Sequence, residues 1–566
     1  MGKVNVKVKK RESLSDIFRN IATGVTGFFV FLILTVFPLY THDMYFDILK
    51  SRYVFFKVWT LALVFILLGL GIAYLFIDYN NNSSSPSAIE RFLSAFKLKN
   101  IKKHIIITDI FFVIMLFCVI ISAAGSNFKE EAFFGTSGRY QGTECWILYF
   151  LTYVAISRTF KFKIMYLDYA IIAGIFSCIW GITDFLYLDV FNFFANVSDM
   201  QKSMFASSVG NLNTFTNYTV MVFAVSASLF IIEKQTVKKI FYLLATLVAC
   251  AGSIFGLADN AFLGLASFYL FIPMFCVKNR RSLLRFFITI DVFLVSLYLF
   301  WCGMKLNHNP LQASIIMDLL NQHSIVAYLF VPFTVFIIVL YFILNKLKPN
   351  YGEMIDSKLV PLDSYLPKNL VKVYYIVIIS IIAFIVFILI QINIVKTNAD
   401  FWLSRVPSSH LFVLSDDWGT HRGHNWRIAF TNFTQNFSIF QKLFGYGPDT
   451  YLIVSERTFY EEMVSRYGEV YDSAHNEYIN YLICEGAVGL IAYMGILISS
   501  IKLEVKNMKE NPFVVACVMA VIAYAVQAIV NIAIPITTPV FFALMFICAS
   551  EEINNKKLSI NNALYS

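Results

Sequence analysis

Charge is scarce in this chain. Only 14% of its 566 residues are Asp, Glu, Lys or Arg, against roughly 25% in soluble globular domains, so ionic side chains cannot cover a water-facing surface. The alternating ten-residue segments of a transmembrane β-barrel are also missing; the apolar stretches run continuously. No C-x-x-C pair occurs among the nine cysteines, which speaks against a zinc site or a disulfide framework. Cys118, Cys178, Cys250, Cys484 and Cys517 lie in or beside apolar runs and read as small packing residues. No internal repeat of the kind that builds many secondary transporters is visible. No aspartate-rich metal motif stands out on the outer side; Asp416-Asp417 is an adjacent pair, and adjacent side chains diverge, so no metal and no cofactor are expected.

What the chain has instead is apolar bulk: 58% hydrophobic residues, 58 of them Phe, and a mean hydropathy of +0.67. A helical crossing needs about 20 mainly apolar residues. Candidate runs fall at 21–40, 53–77, 105–125, 144–157, 165–187, 213–232, 238–256, 261–277, 283–301, 325–345, 371–393, 479–500, 512–532 and 536–549. The first follows a basic segment, has no small-residue cleavage site and reads as a span rather than a signal peptide. With the N-terminus inside, the cytoplasmic segments hold 31 of the 45 Lys and Arg. That bias predicts fourteen spans with both termini cytoplasmic. The net charge of +9 is then explained by basic residues facing anionic lipid, with no nucleic acid partner. The expected organisation is a bundle of about eleven helices over 1–393, an outer loop over 394–478, and C-terminal spans with a short tail over 479–566.

The polar chemistry concentrates in that loop. Its 85 residues include His410, His421, His424 and His475, Arg405, Arg422, Arg427, Arg457 and Arg466, and ten acidic side chains. Loops beyond about 15 residues are uncommon and often functional. Trp426-Arg427-Ile428-Ala429-Phe430 and Phe437-Ser438-Ile439-Phe440 read as short amphipathic helices on the membrane surface. The loop ends in Asp472-Ser473-Ala474-His475-Asn476-Glu477-Tyr478, directly before a span. Glu477, Tyr481 and Glu485 share one helical face, and a carboxylate as deep as Glu485 must face a polar cleft. A histidine at this rim can take a proton near neutral pH; it can also simply satisfy the start of the helix. Arg422 and Arg139, both on the outer side, offer planar donor forks matched to phosphate oxygens, and the glycines beside them would permit close approach. Asn211, Asn213 and Asp259 are placed where they could line the same cleft, with Gly445-Tyr446-Gly447-Pro448-Asp449 as a tight turn between the arginines.

Asp472 to Tyr478, followed by Glu485-Gly486-Ala487-Val488-Gly489-Leu490, resembles the signature of the O-antigen ligase and O-antigen polymerase superfamily. Arg422-Gly423-x-x-Trp426 and Gly445 to Asp449 resemble that family's outer loop. Ser208-Val209-Gly210-Asn211-Leu212-Asn213 and Gly138-Arg139-x-x-Gly142 are similar in the first half. Many members carry an outer Ser-Arg pair where this chain has Gly256-Leu257-Ala258-Asp259-Asn260-Ala261, so that arginine is not carried over. The resemblance implies an all-α fold of the GT-C type and a bacterial cytoplasmic-membrane glycosyltransferase. It further implies metal-independent, inverting transfer of glycan from an undecaprenyl-pyrophosphate carrier to an acceptor hydroxyl at the outer face. His475 would be the general base, with Glu477 or Asp472 orienting it. Arg422, Arg139 and Arg427 would hold pyrophosphate, and Tyr446, Asn476, Tyr481 and Glu485 would line the cleft. The Phe, Ile, Lys, Asn and Tyr bias suggests an AT-rich genome and favours a polymerase or wall-glycan ligase over a lipopolysaccharide ligase; the expected reading is a polysaccharide polymerase, with a glycan or lipid acceptor and a chain-length regulator as partner. A ligase with a different acceptor, or a flippase, is the alternative.

Overall fold

The computed structural model describes residues 13–81, 86–95, 105–307, 314–346, 368–396, 399–404, 412–508 and 510–565. Arg405 and His410 of the long loop lie outside the described residues. The first half contributes α1 Leu14–Phe31, α2 Ile48–Asn81, α3 Ile107–Gly125, α4 Thr143–Thr159, α5 Met165–Phe185 and α6 Leu212–Ile232. There follow α7 Thr236–Phe255, α8 Asn260–Cys276, α9 Arg280–Leu306, α10 Phe330–Lys346 and α11 Lys368–Ile390. The long loop forms α12 Trp418–Thr431, α13 Ile439–Phe444 and α14 Tyr451–Tyr467. Then come α15 Glu477–Cys484, α16 Gly486–Asn507, α17 Val515–Gln527 and α18 Thr538–Tyr565. Among the described residues the only strand pairing is antiparallel, β1 Phe205–Ala206 with β2 Gly210–Asn211.

The fourteen apolar runs fall mostly on helical segments, although not each on one continuous helix. Ten helical stretches among the described residues have the length and hydropathy of a full crossing, and α8 and the Pro512–Gln527 stretch are apolar but shorter. The chain is an all-α, multi-pass membrane protein. Its centre is α6, where every residue from Thr214 to Ile231 is buried, surrounded by α5, α7, α8 and α17. A helix apolar on all sides belongs in such a core. At the periphery, α10 and α11 expose Val335, Ile338, Phe342, Ile379, Phe384 and Phe387, faces that hydrocarbon rather than water accommodates.

Two expectations change. The run at 479–500 is not one helix. It breaks after Cys484, and Gly486 takes φ +74°. Three carbonyls at the break, those of Ile483, Cys484 and Glu485, find partners outside the helix. Tyr446 N–H donates to Ile483 O at 3.0 Å and Gly447 N–H to Cys484 O at 3.1 Å. Ser122 Oγ also donates to Cys484 O at 2.9 Å, and Cys118 Sγ to Glu485 O at 3.1 Å. Buried backbone groups need partners, and the turn at 445–449 supplies them. Second, the loop does not lay both amphipathic helices on a surface. Ala429, Phe437, Tyr451, Val454, Ala474, Ile483 and Cys484 form one small core, and Ile428, Met463 and Tyr471 another, so α12 turns its apolar side to α14 and α15. α13 leaves Ile439, Phe440 and Leu443 exposed, and α12 leaves Phe430 exposed near its end.

Candidate functional site

The site is assembled around a buried carboxyl. Asp449 ends the turn that docks on the helix break, with φ +56°, and is 6% exposed. Its Oδ2 accepts the backbone N–H of Arg139 at 2.6 Å and of Gln141 at 2.9 Å. Burial pushes this carboxyl up to about 7, against the pull of those two amides. The Gly138–Gly142 segment and the Gly445–Asp449 turn, 310 positions apart, thereby become one structure. Gly138 is required by this contact: an added Cβ would stand 2.7 Å from the Asp449 carboxyl. Gly423 likewise has no room for a Cβ against the Ser415 carbonyl. These glycines therefore serve packing within the protein and not, as the sequence suggested, the approach of a phosphate.

Arg139 is thereby aimed at Asp472, its Nη2 donating to Oδ1 at 2.8 Å, while its Nε is buried without a partner. His475 lies two positions beyond the buried Ser473 and has φ +47°. A non-glycine residue there carries strain of about 1–2 kcal/mol and persists only where its surroundings fix it. Trp426 Nε1 donates to Ala474 O at 3.0 Å, Asn480 Oδ1 accepts from Ala474 N at 3.3 Å, Asn476 caps α15 by accepting from Ile479 N at 3.0 Å, and Glu477 N donates to Ala528 O at 2.8 Å. Among the described residues, neither imidazole nitrogen hydrogen-bonds a protein group. Burial, then the nearby charges of Arg422 and Arg139, lower the His475 pKa to about 4, with Asp472 opposing. The ring is neutral at pH 7.

Arg422 completes the group. Its guanidinium donates through Nε to Val530 O at 3.1 Å and through Nη1 to Gly419 O, across a left-handed turn at Gly419, Thr420 and His421. Burial lowers its pKa, and attraction to Asp259 opposes that. Next to Val530, Asn531 Nδ2 donates to Asn213 O at 3.3 Å, as Asn260 Nδ2 does at 3.2 Å. Asp259 therefore acts on the arginine through its charge, and neither Asp259 nor Asn213 lines the polar cavity. Asn211 is exposed and its side chain caps α6 by accepting from Asn213 N.

Two residues either side of His475, Ser473 and Glu477 help line a small polar cavity of about 10 Å³, room for roughly one water, together with Arg139, Gln141, Asp449, Asn480, Tyr481 and Glu485. Glu485 Oε2 is buried there without a partner. Sequence reasoning missed Asp449, Gln141, Ser473 and Asn480 as lining residues; the glycine-rich turn ending in Asp449 was the available signal. Three expected residues are placed differently. Glu477 does not orient the imidazole: its carboxylate accepts from Tyr493 and, at 3.1 Å, from Tyr524, clamping α15 to α16 and α17. Arg427 pairs through Nε with Asp416, at 3.1 and 3.3 Å, and through Nη2 with Glu462, so its charge is already balanced by carboxylates. Tyr446 lines a second cleft. Asp416 and Asp417 do diverge, one to Arg427 and Arg466, the other to Tyr467. Asp416, His424 and Glu462 bring potential ligand atoms within 4.8 Å of one another, but two arginines already neutralise the carboxylates. No family model matches this chain, and no curated protein matches it either.

Proposed function

We propose that this protein is a membrane glycosyltransferase that moves glycan from an undecaprenyl-pyrophosphate donor to an acceptor hydroxyl at the outer membrane face, most readily as a polysaccharide polymerase. The observation that carries this reading is the placing of the His475 imidazole, three residues beyond the Arg139–Asp472 ion pair and within the field of Arg422. A neutral ring can take the acceptor proton; the acceptor oxygen then bonds the anomeric carbon as the bond from that carbon to the pyrophosphate oxygen breaks. The electron pair leaves on pyrophosphate, and guanidinium groups offset its charge. Asp472 is the carboxylate placed to offset the imidazolium, the role first given also to Glu477. A ligase differs only in its acceptor, and product linkage separates the two.

The test is turnover of a defined lipid-pyrophosphate glycan by purified wild type, His475→Gln and Arg422→Lys, in EDTA. Loss of a general base costs about 10²–10⁴-fold, so His475→Gln loses at least about 100-fold while donor binding persists. Arg422→Lys keeps charge but loses the fork and falls substantially. Near-normal transfer by His475→Gln removes the histidine from proton transfer. Dependence on an added divalent ion removes the metal-independent mechanism.

A further inference from the structure

The second cleft is a different kind of surface from the polar cavity. It holds about 330 Å³ between α13, α14 and the turn that follows α12 and is lined by Asn432, Asn436, Phe437, Gln441, Tyr446 and Arg457, with Val454 and Thr458. That is within the roughly 300–1,000 Å³ of small-molecule pockets. No carboxylate lines it. Phe437 and Tyr446 stand 5.6 Å apart at 25°, and Phe128 continues the row 6.2 Å from Tyr446 at 21°. Arg457 sits 5.2 Å from the Phe128 ring centre and donates to the Tyr446 hydroxyl at 3.1 Å.

The polar groups beside these rings are held and only partly used. Asn432 Nδ2 donates to Thr458 Oγ1 at 3.0 Å, and Asn436 Nδ2 to Asn432 Oδ1 at 2.9 Å. Gln441 Oε1 accepts from Ser438 N and Oγ at 3.0 and 3.1 Å. Among the described residues, that leaves Asn436 Oδ1, an acceptor, and Gln441 Nε2, a donor, without protein partners. Aromatic side chains offer apolar faces with polar handles, and amides both donate and accept. The ligand that presents apolar C–H faces and a rim of hydroxyls that both donate and accept is a saccharide. One arginine, already spent on two aromatic partners, is too little for a polyanion, and without carboxylates the cleft does not suit a cation.

Position gives the cleft a purpose. Tyr446 lines it, and Asp449, three residues on, lines the polar cavity. Three residues span at most about 10–11 Å, so both openings belong to one turn. We infer that the cleft at Asn436, Tyr446 and Arg457 is an oligosaccharide subsite that holds glycan residues next to the reacting sugar. This rests on the reading of the protein as a glycosyltransferase, and the chain it holds is that of donor or acceptor.

The test uses the full-length protein in nanodiscs. The probe is lipid-free fragments of one, two and three repeat units, cut from the source cell's own surface polysaccharide. Wild type and His475→Gln should bind them equally, more tightly with length. Asn436→Ala/Arg457→Ala alters exposed side chains and should raise Kd about tenfold or more with the melting temperature unchanged; Tyr446→Phe, which keeps the ring, should lose less. A rise in acceptor KM alone in the double variant assigns the subsite to the acceptor chain, and a rise in donor KM alone assigns it to the donor chain; either supports the proposal. No fragment binding by a wild type that still transfers glycan overturns the subsite and leaves the activity standing. Equal binding by the double variant also overturns it. Length-dependent fragment binding that the double variant loses, in a wild type that transfers no glycan, overturns the activity and keeps the saccharide site.

Discussion

A histidine whose pKa sits near 4 behaves differently from one at its ordinary 6.5, and the sign can be worked through. On the proposed glycosyl transfer, a ring that stays neutral down to about pH 4 in the ligand-free protein should put the acid limb of kcat/KM near 4. Pyrophosphate bound beside Arg139 and Arg422 would cancel much of their field and raise the imidazole pKa, so the acid limb of kcat should lie higher. Arg139→Ala removes one lowering charge, which should move the kcat/KM limb upward. Limbs fixed at 6.5 for both parameters and both proteins would show that the arginines do not act on this ring. His475, Asp472, Arg139 and Arg422 were readable because short motifs bracket each. Glu477 was misjudged because it lies two positions from His475; as the first residue of α15 it turns about 100° per residue away from the preceding loop and ends between tyrosines. Asp449 escaped notice because its partners lie some 310 positions away, and its importance comes from burial that no local pattern records.

Elements were legible where periodicity and bulk decide them and illegible where backbone groups are exchanged between distant segments. The break between α15 and α16 lies inside an apolar run, and its only local mark is Gly486. What permits it is the turn at Gly445–Asp449, delivered by the loop fold, which replaces the lost helical hydrogen bonds. Gly445 and Gly468 separate the contributions. Both have positive φ, +85° and +71°; a Cβ on Gly445 would strike the Cys484 carbonyl, whereas Gly468 has open space. Gly468→Ala should therefore cost only about 1–2 kcal/mol of backbone strain. Gly445→Ala adds overpacking of about 1–3 kcal/mol and displaces Tyr446 and Gly447 from their carbonyls. Thermal unfolding in nanodiscs should show a clearly larger loss for Gly445→Ala, together with lost activity. Gly445 also has ψ 178°, a conformation open essentially to glycine alone, whereas Gly468 is ordinary left-handed helix; equal losses would mean that neither this strain nor docking of the turn matters.

At the scale of the whole molecule, the sequence predicts which side of the membrane each segment occupies, and the structure makes that prediction testable without the full span count. The loop helix α13 and the segment after Asn507 are joined through α15 and α16, and α16 is one of the stretches long and apolar enough to cross. Positions 439 and 510 should therefore lie on opposite faces. The charge count then chooses which: 31 of 45 basic residues fall on the side assigned to 510, and such residues are retained in the cytoplasm. Ile439 is 79% exposed and Glu510 is exposed as well, so a cysteine at either is accessible without repacking. The native background is low, because eight of the nine cysteines are buried and only Cys302 is partly open. With Cys302→Ser as parent, an impermeant thiol reagent should label Ile439→Cys in intact cells and Glu510→Cys only after the membrane is opened. The reverse pattern would invert the topology and put His475 and its arginines in the cytoplasm, where a carrier-linked glycan awaiting export is not yet the substrate of an outer-face transferase. Labelling of both in intact cells would mean that α16 does not cross.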